Sequence, residues 1–152
     1  MREIKFRFTW KIEDGEIYNY ELPISDFWSH GVSNTKYKRN RKGLAAKLIG
    51  RDQWAGIVDS EGAEIYEGDI VNLTHWHFDG GEVEMHLIGM VVYMPECASF
   101  GLGNVSNADW LRYVGLPESG TDTVSFGSMR FAPDDLEILG NIHQNPELLE
   151  SV

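Results

Sequence analysis

The chain is poor in several things that define large protein classes. It has one cysteine, Cys97, in 152 residues, so no internal disulfide can form; a reducing compartment, the cytoplasm, is the expected location. Its longest apolar run, Leu87 to Met94, contains Gly89 and is far too short to cross a bilayer, which argues against a membrane partner. The opening MREIKFRFTW alternates charged with apolar residues and lacks the continuous apolar stretch of a secretory signal. Positive charge nearly disappears after residue 51: residues 52–152 hold 2 Lys and Arg against 18 Asp and Glu.

What is present suits a β-rich domain. The chain is 42% hydrophobic and 12% aromatic, with 16 glycines and only 5 prolines, a composition for strands joined by tight turns and far from that of a disordered chain. A chain of this length buries roughly two thirds of its unfolded surface as one unit, so a single domain spanning 1–152 is expected, with an N-terminal subdomain at 1–45.

Residues 1–51 carry 11 Lys and Arg against 6 Asp and Glu, opposite in sign to the rest of a chain whose net charge is −11. The centre of this basic half is KYKRNRK, with Lys36, Lys38, Arg39, Arg41 and Lys42 around Tyr37. A block of like charge is ordinarily a solvated loop. Its functional reading is contact with phosphates or an acidic partner, with Tyr37 placed to stack on a base. A third reading is self-association, the basic loop of one copy meeting the acidic part of another.

Alternation of Ile4, Phe6, Phe8 and Trp10 with Lys5 and Arg7 predicts a strand, and Glu13-Asp14-Gly15 a turn into a second strand ending at Pro23. The stretch from Ser25 to Gly43 has no sustained period, although Ser25 suits a helix cap. Two further β-rich runs flank turn signals at 59–62. Glu67-Gly68-Asp69 then reads as a turn in which Gly68 takes positive φ and Asp69 bonds backbone amides. Glu64, Glu67 and Asp69 lie on a bent stretch with nothing to converge them on one point, as a metal or an acid–base pair requires.

Asp79-Gly80-Gly81 predicts a hairpin between strands at 73–78 and 83–94. His75 and His77, two apart, share a face, and His86 lies on the partner strand; these three are the best metal candidates in the chain. With no CxxC pair beside them they form a weak set, and no resident metal or cofactor is expected. The region 95–129 reads as loop with a helical turn capped by Asn107 and a strand near Thr123–Phe126. GLGN at 101–104 lacks the third glycine of a dinucleotide fingerprint. Near the C-terminus a strand at Leu136–Leu139 is broken by Gly140-Asn141, and Asn145-Pro146-Glu147 signals a short helix with Asn145 as cap.

Three stretches carry a resemblance. MREIKFR at the start, GIVDSEGAEIYEGDIV at 56–71 and EILGNIHQNPELL at 137–149 look like the three blocks of the YopX family, in order and spacing. The resemblance implies a phage or prophage origin and an α+β, mostly β fold. Its antiparallel strands would close into a small SH3-like barrel over 46–145, with an N-terminal hairpin and a short C-terminal helix. It implies no reaction and transfers no functional residue. Since no nucleophile with an adjacent base and no Walker-type loop is visible, the leading expectation is a non-catalytic binding module for an unknown protein or nucleic acid, with homo-oligomers as a further outcome. The alternative is a small enzyme or metal-binding protein using His75, His77 and His86. An acidic mimic of nucleic acid is a third, and it requires Asp and Glu of 52–152 to stand in ordered rows.

Overall fold

Strand alternation governs most of the chain. In the computed structural model, which describes residues 3–23, 37–39, 42–78, 80–95, 98–103, 124–126 and 133–150, the fold is mostly β, and these residues form two antiparallel sheets and one short α-helix. The chain divides into two compact units, Met1–Gly56 and Ile57–Val152. The division falls inside a strand, later than the 45/46 boundary expected from the sequence.

The first unit is built on the hairpin of β1 (Lys5–Ile12) and β2 (Ile17–Pro23). Register pairs Phe8 with Tyr20 and Trp10 with Tyr18, and the Phe8 and Tyr20 rings stack at 5.6 Å between centroids. The turn is the expected one: Gly15 takes φ 96°, and Asp14 Oδ1 accepts the Glu16 N–H at 2.9 Å. The other edge of β1 pairs with β4 (Ala45–Val58), and β4 with β3 (Tyr37–Arg39), giving the order β2-β1-β4-β3. Phe8, Trp10, Ile12, Leu22 and Ala46 form the buried core, with Phe6, Tyr18, Tyr20, Leu44 and Leu48 packed against it. A register shift between Thr9 and Trp10 marks a bulge against β4, so the two strands keep facing one core although their lengths differ by a residue there.

On the opposite face of β1, Arg7 is buried beside Asp52, with 3.9 Å between Nη2 and Oδ2. Lys5 Nζ sits 4.4 Å from the centroid of the Trp54 ring. The charged side of the alternation is thus engaged within the unit, Arg7 by a carboxylate and Lys5 by an aromatic face.

In the second unit β5 (Glu64–Tyr66) turns back to pair with β4. The other sheet runs β10-β6-β7-β8-β9, with β6 (Asp69–Phe78), β7 (Glu82–Met94), β8 (Ser99–Gly103), β9 (Val124–Ser125) and β10 (Leu136–Asn141). A 3₁₀ turn, Pro133–Asp135, precedes β10, and α1 (Glu147–Glu150) follows it. Ile65, Tyr66, Ile70, Val71, Leu73, Leu87, Leu102 and Leu136 are almost completely buried. The described strands of each sheet form an open ladder, and the closure into an SH3-like barrel is not among their pairings.

Two loop readings are corrected. Ser99–Gly103 is a strand whose Phe100 and Leu102 alternate with small residues and are buried; its glycines disguised a period of two. Tyr37–Arg39, read as part of a solvated loop, pairs with β4. The expected helical turn at Asn107 and the cap at Ser25 lie outside the described residues, while the strand expected near 123–126 is β9.

Candidate functional site

Three groups of side chains were candidates: the carboxylates of 59–69, the basic segment and the imidazoles. The two aspartates are spent on the backbone. Asp59, 6% exposed, accepts the amides of Glu61 and Ala63 on Oδ1, each at 2.9 Å, and that of Ile138 on Oδ2 at 3.3 Å. Beside it the Ser60 amide donates to the Leu136 carbonyl at 2.9 Å. Asp69, 1% exposed, accepts the Tyr66 amide on Oδ2 at 2.8 Å. Gly68 between them takes φ 81°, the left-handed conformation the turn required. Glu64 Oε2 accepts the Tyr66 hydroxyl at 2.9 Å. Asp59, Glu64 and Asp69 each bond within a different part of this stretch, and among the described residues no three His, Cys, Asp or Glu side chains gather as a metal set.

The C-terminal block meets this turn. The Ile142 amide donates to the Gly68 carbonyl at 2.8 Å, and Asn141 sits opposite Asp69 in the β10–β6 register. Asn141 Oδ1 accepts the amides of His143 and Gln144 at 3.0 and 2.9 Å, and its Nδ2 donates to Gln144 Oε1 at 2.6 Å. The Asn145 side chain, expected to cap the helix, accepts the Asn141 amide on Oδ1 at 3.3 Å, while its carbonyl receives the Leu148 N–H at 3.1 Å. Asn145 packs so closely on Gly140 that a Cβ there would lie 2.8 Å from Asn145 Cγ.

A model of the YopX protein family matches residues 5–150. The chain belongs to the YopX family. No curated protein matches it. Of the three blocks that carried the resemblance, the first enters β1 in this YopX protein, and the other two are strand-and-turn segments hydrogen-bonded to each other, with Asp59, Asp69 and Asn141 bonding the backbone.

The basic segment lies at the β3 edge of the first sheet. Lys36 and Arg41 are outside the described residues. Tyr37, Lys38 and Arg39 form β3, opposite Lys47, Ala46 and Ala45, and Lys42 is exposed beyond it. The register adds cations that the sequence reading missed: Lys11 of β1 stands directly across from Lys47 of β4, whose other neighbour is Tyr37. Lys11 and Lys47 are both exposed and border a groove of about 520 Å³ at the tip of the first hairpin, with Glu13, Asp14, Gly15 and Ala45. Charge and structure divide together. Met1–Gly56 holds 11 Lys and Arg against 7 Asp and Glu, net +4, and Ile57–Val152 holds 2 against 17, net −15.

The acidic unit shows no carboxylate ladder among the described residues. Glu84 stands across from Trp76, Glu82 from Phe78 and Glu137 from Asn72, and Asp59 and Asp69 are buried in turns.

The imidazoles are set by the second hairpin. His75 is opposite Met85 and His77 opposite Val83, while His86 is opposite Thr74. His86 Nε2 lies 3.0 Å from Glu84 Oε1. Its Nδ1 lies 3.3 Å from both Thr74 Oγ1 and Asn72 Nδ2. Sequence reading found His86 but not its neighbours. The signal was available: Thr74 and His86 are equidistant from Gly80, and a hairpin centred on that glycine pairs them.

Proposed function

We propose that this YopX protein is a non-catalytic binding module of phage or prophage type, acting in the cytoplasm of a host cell, whose basic unit engages an anionic partner, nucleic acid or an acidic protein surface. The observation that carries the reading is the lateral pairing of exposed Lys11 and Lys47 beside the β3 edge. Like charges directly opposite on neighbouring strands destabilise a sheet, and an anion laid across the row would relieve that repulsion. The strongly acidic second unit would repel stray phosphate, which favours a defined partner over indiscriminate binding. Closure of the strands into an SH3-like barrel belongs to the same proposal and rests on the family resemblance. The acidic-mimic reading loses support because Glu82, Glu84 and Glu137 stand across from Phe78, Trp76 and Asn72 and not from other carboxylates.

The test is a titration of the nuclease-treated full chain with labelled single-stranded nucleic acid, run beside sizing and a lysate pull-down with and without nuclease. Binding should weaken steeply with salt, since neutralised phosphates release counterions. It should be lost when Lys11, Lys47 and the five cations of 36–42 are replaced by Ser. A variant that retains every partner and every oligomer of the parent sinks the proposal.

The second reading, a small enzyme or metal-binding protein using His75, His77 and His86, draws support at His86 alone, from its partners Glu84, Thr74 and Asn72; the register sets His75 and His77 at positions alternate to the Thr74–His86 pair.

A further inference from the structure

The group around His86 has a chemistry separate from anion binding. Glu84, Thr74 and Asn72 surround the ring. An ionised carboxylate can only accept hydrogen bonds, so Glu84 Oε1, 3.0 Å from Nε2, fixes the proton of the neutral ring on Nε2. Nδ1 is then left with its lone pair directed at its two other neighbours. Both have a proton to give: Thr74 through its hydroxyl and Asn72 through Nδ2, each 3.3 Å away. In that tautomer the single Nδ1 lone pair is shared between the Thr74 hydroxyl and the Asn72 amide. The order carboxylate, imidazole, hydroxyl is that of a base-activated nucleophile, in which the third group orients the base.

The fold supplies the alignment. Thr74 and His86 are direct partners across β6 and β7, so their Cβ atoms are set close together on one face, and Glu84 shares that face by strand alternation. The side chains of His86 and Glu84 are 53% and 43% exposed, so a reagent can reach the site from solvent.

We propose that Thr74 is a nucleophile activated by His86, able to take an acyl group from an activated ester, with Glu84 as the positioning residue. In the step, the Thr74 hydroxyl proton passes to His86 Nδ1 as Oγ1 attacks the acyl carbon. The new bond joins Oγ1 to that carbon, and the bond from the carbon to the leaving alkoxide or phenolate breaks. The leaving group departs with the electron pair and takes the proton from Nδ1, which returns His86 to its neutral form. The products are an O-acyl threonine and a free alcohol or phenol, and no oxidant or metal enters the balance.

The experiment incubates the untagged full-length protein with p-nitrophenyl acetate and locates acetyl groups by peptide mass spectrometry. Thr74 should be acetylated faster than any other threonine or serine. His86→Ala should slow Thr74 labelling by about 10²-fold, the usual lower range for general-base assistance, with lysine labelling unchanged as the internal control. Glu84→Gln should give a smaller loss, and Thr74→Ser should restore labelling at the same position. Because the His86 and Glu84 side chains are solvent-exposed and Thr74→Ser removes only a methyl group, circular dichroism of the variants should match the parent. Equal labelling of Thr74 in the parent and in His86→Ala, or acetyl groups on lysines alone, overturns the proposal.

Discussion

The Ile142 amide and the Gly68 carbonyl are joined at 2.8 Å, while the Gly68 amide donates to the Val91 carbonyl at 2.9 Å. Gly68 is thus held from both sides, by β7 and by the chain leaving β10, in a conformation with φ 81°. The turn Glu67-Gly68-Asp69 works as a backbone junction, and the buried Asp69 carboxylate holds the Tyr66 amide beside it.

Replacing Gly68 with Val should destabilise the protein by about 1–3 kcal/mol, because a β-branched residue is strained at positive φ. Asp69→Asn retains an oxygen for the Tyr66 amide and should cost less, leaving partner binding intact. Thermal melts of the two variants decide the matter; a Gly68→Val protein as stable as the parent would refute the junction role.

Asp59 satisfies three amides at once. Asp59→Ala leaves those donors without their acceptor in a part-buried site, and each such loss costs about 1–3 kcal/mol where water cannot enter. A destabilisation of about 2 kcal/mol or more is expected in urea titration, and one below 0.5 kcal/mol would show that water replaces the carboxylate.

Gly140→Ala should drive a methyl group into the Asn145 side chain, at a cost of about 1–3 kcal/mol from overpacking. Adding Asn145→Ala should recover part of the loss. The double-mutant cycle should therefore be non-additive, and strict additivity would mean that the two residues do not press on each other.

Protein purified without an affinity tag should contain no stoichiometric zinc. His86 is engaged with Glu84, Thr74 and Asn72, and a tetrahedral site needs further ligands placed at one point. Elemental analysis showing one metal ion per chain would contradict this.

The hairpins were legible because alternation and turn chemistry agreed. Phe6, Phe8 and Trp10 alternate with Lys5 and Arg7, and Gly15, Gly68 and Gly80 each take the positive φ their turns demanded. The strand Ser99–Gly103 was hidden because glycine is a loop signal unless the flanking Phe100 and Leu102 are seen to repeat every second residue. Asn145 was recognised as the mark of a helix start, yet the direction of its side chain depends on the missing Cβ of Gly140, a contact that local propensity does not encode. The pairing of Lys11 with Lys47 was beyond sequence reading for another reason: it depends on the bulge at Thr9 and Trp10, which shifts the register by a residue. Of the candidate site, His86 was visible and its partners were recoverable only by counting outward from Gly80.

The bond from the Ile138 amide to Asp59 spans 79 positions in the chain, so the two turn segments close a long loop that contains β6, β7 and β8. Closure entropy grows only with the logarithm of loop length, and even a doubling costs about 0.6 kcal/mol. Surface turns inside that loop, such as the one at Gly80, can therefore accept inserted residues at small thermodynamic cost while the clasp stays unchanged. Evolution, or a protein engineer, can graft new recognition elements onto this chain there without redesigning its frame.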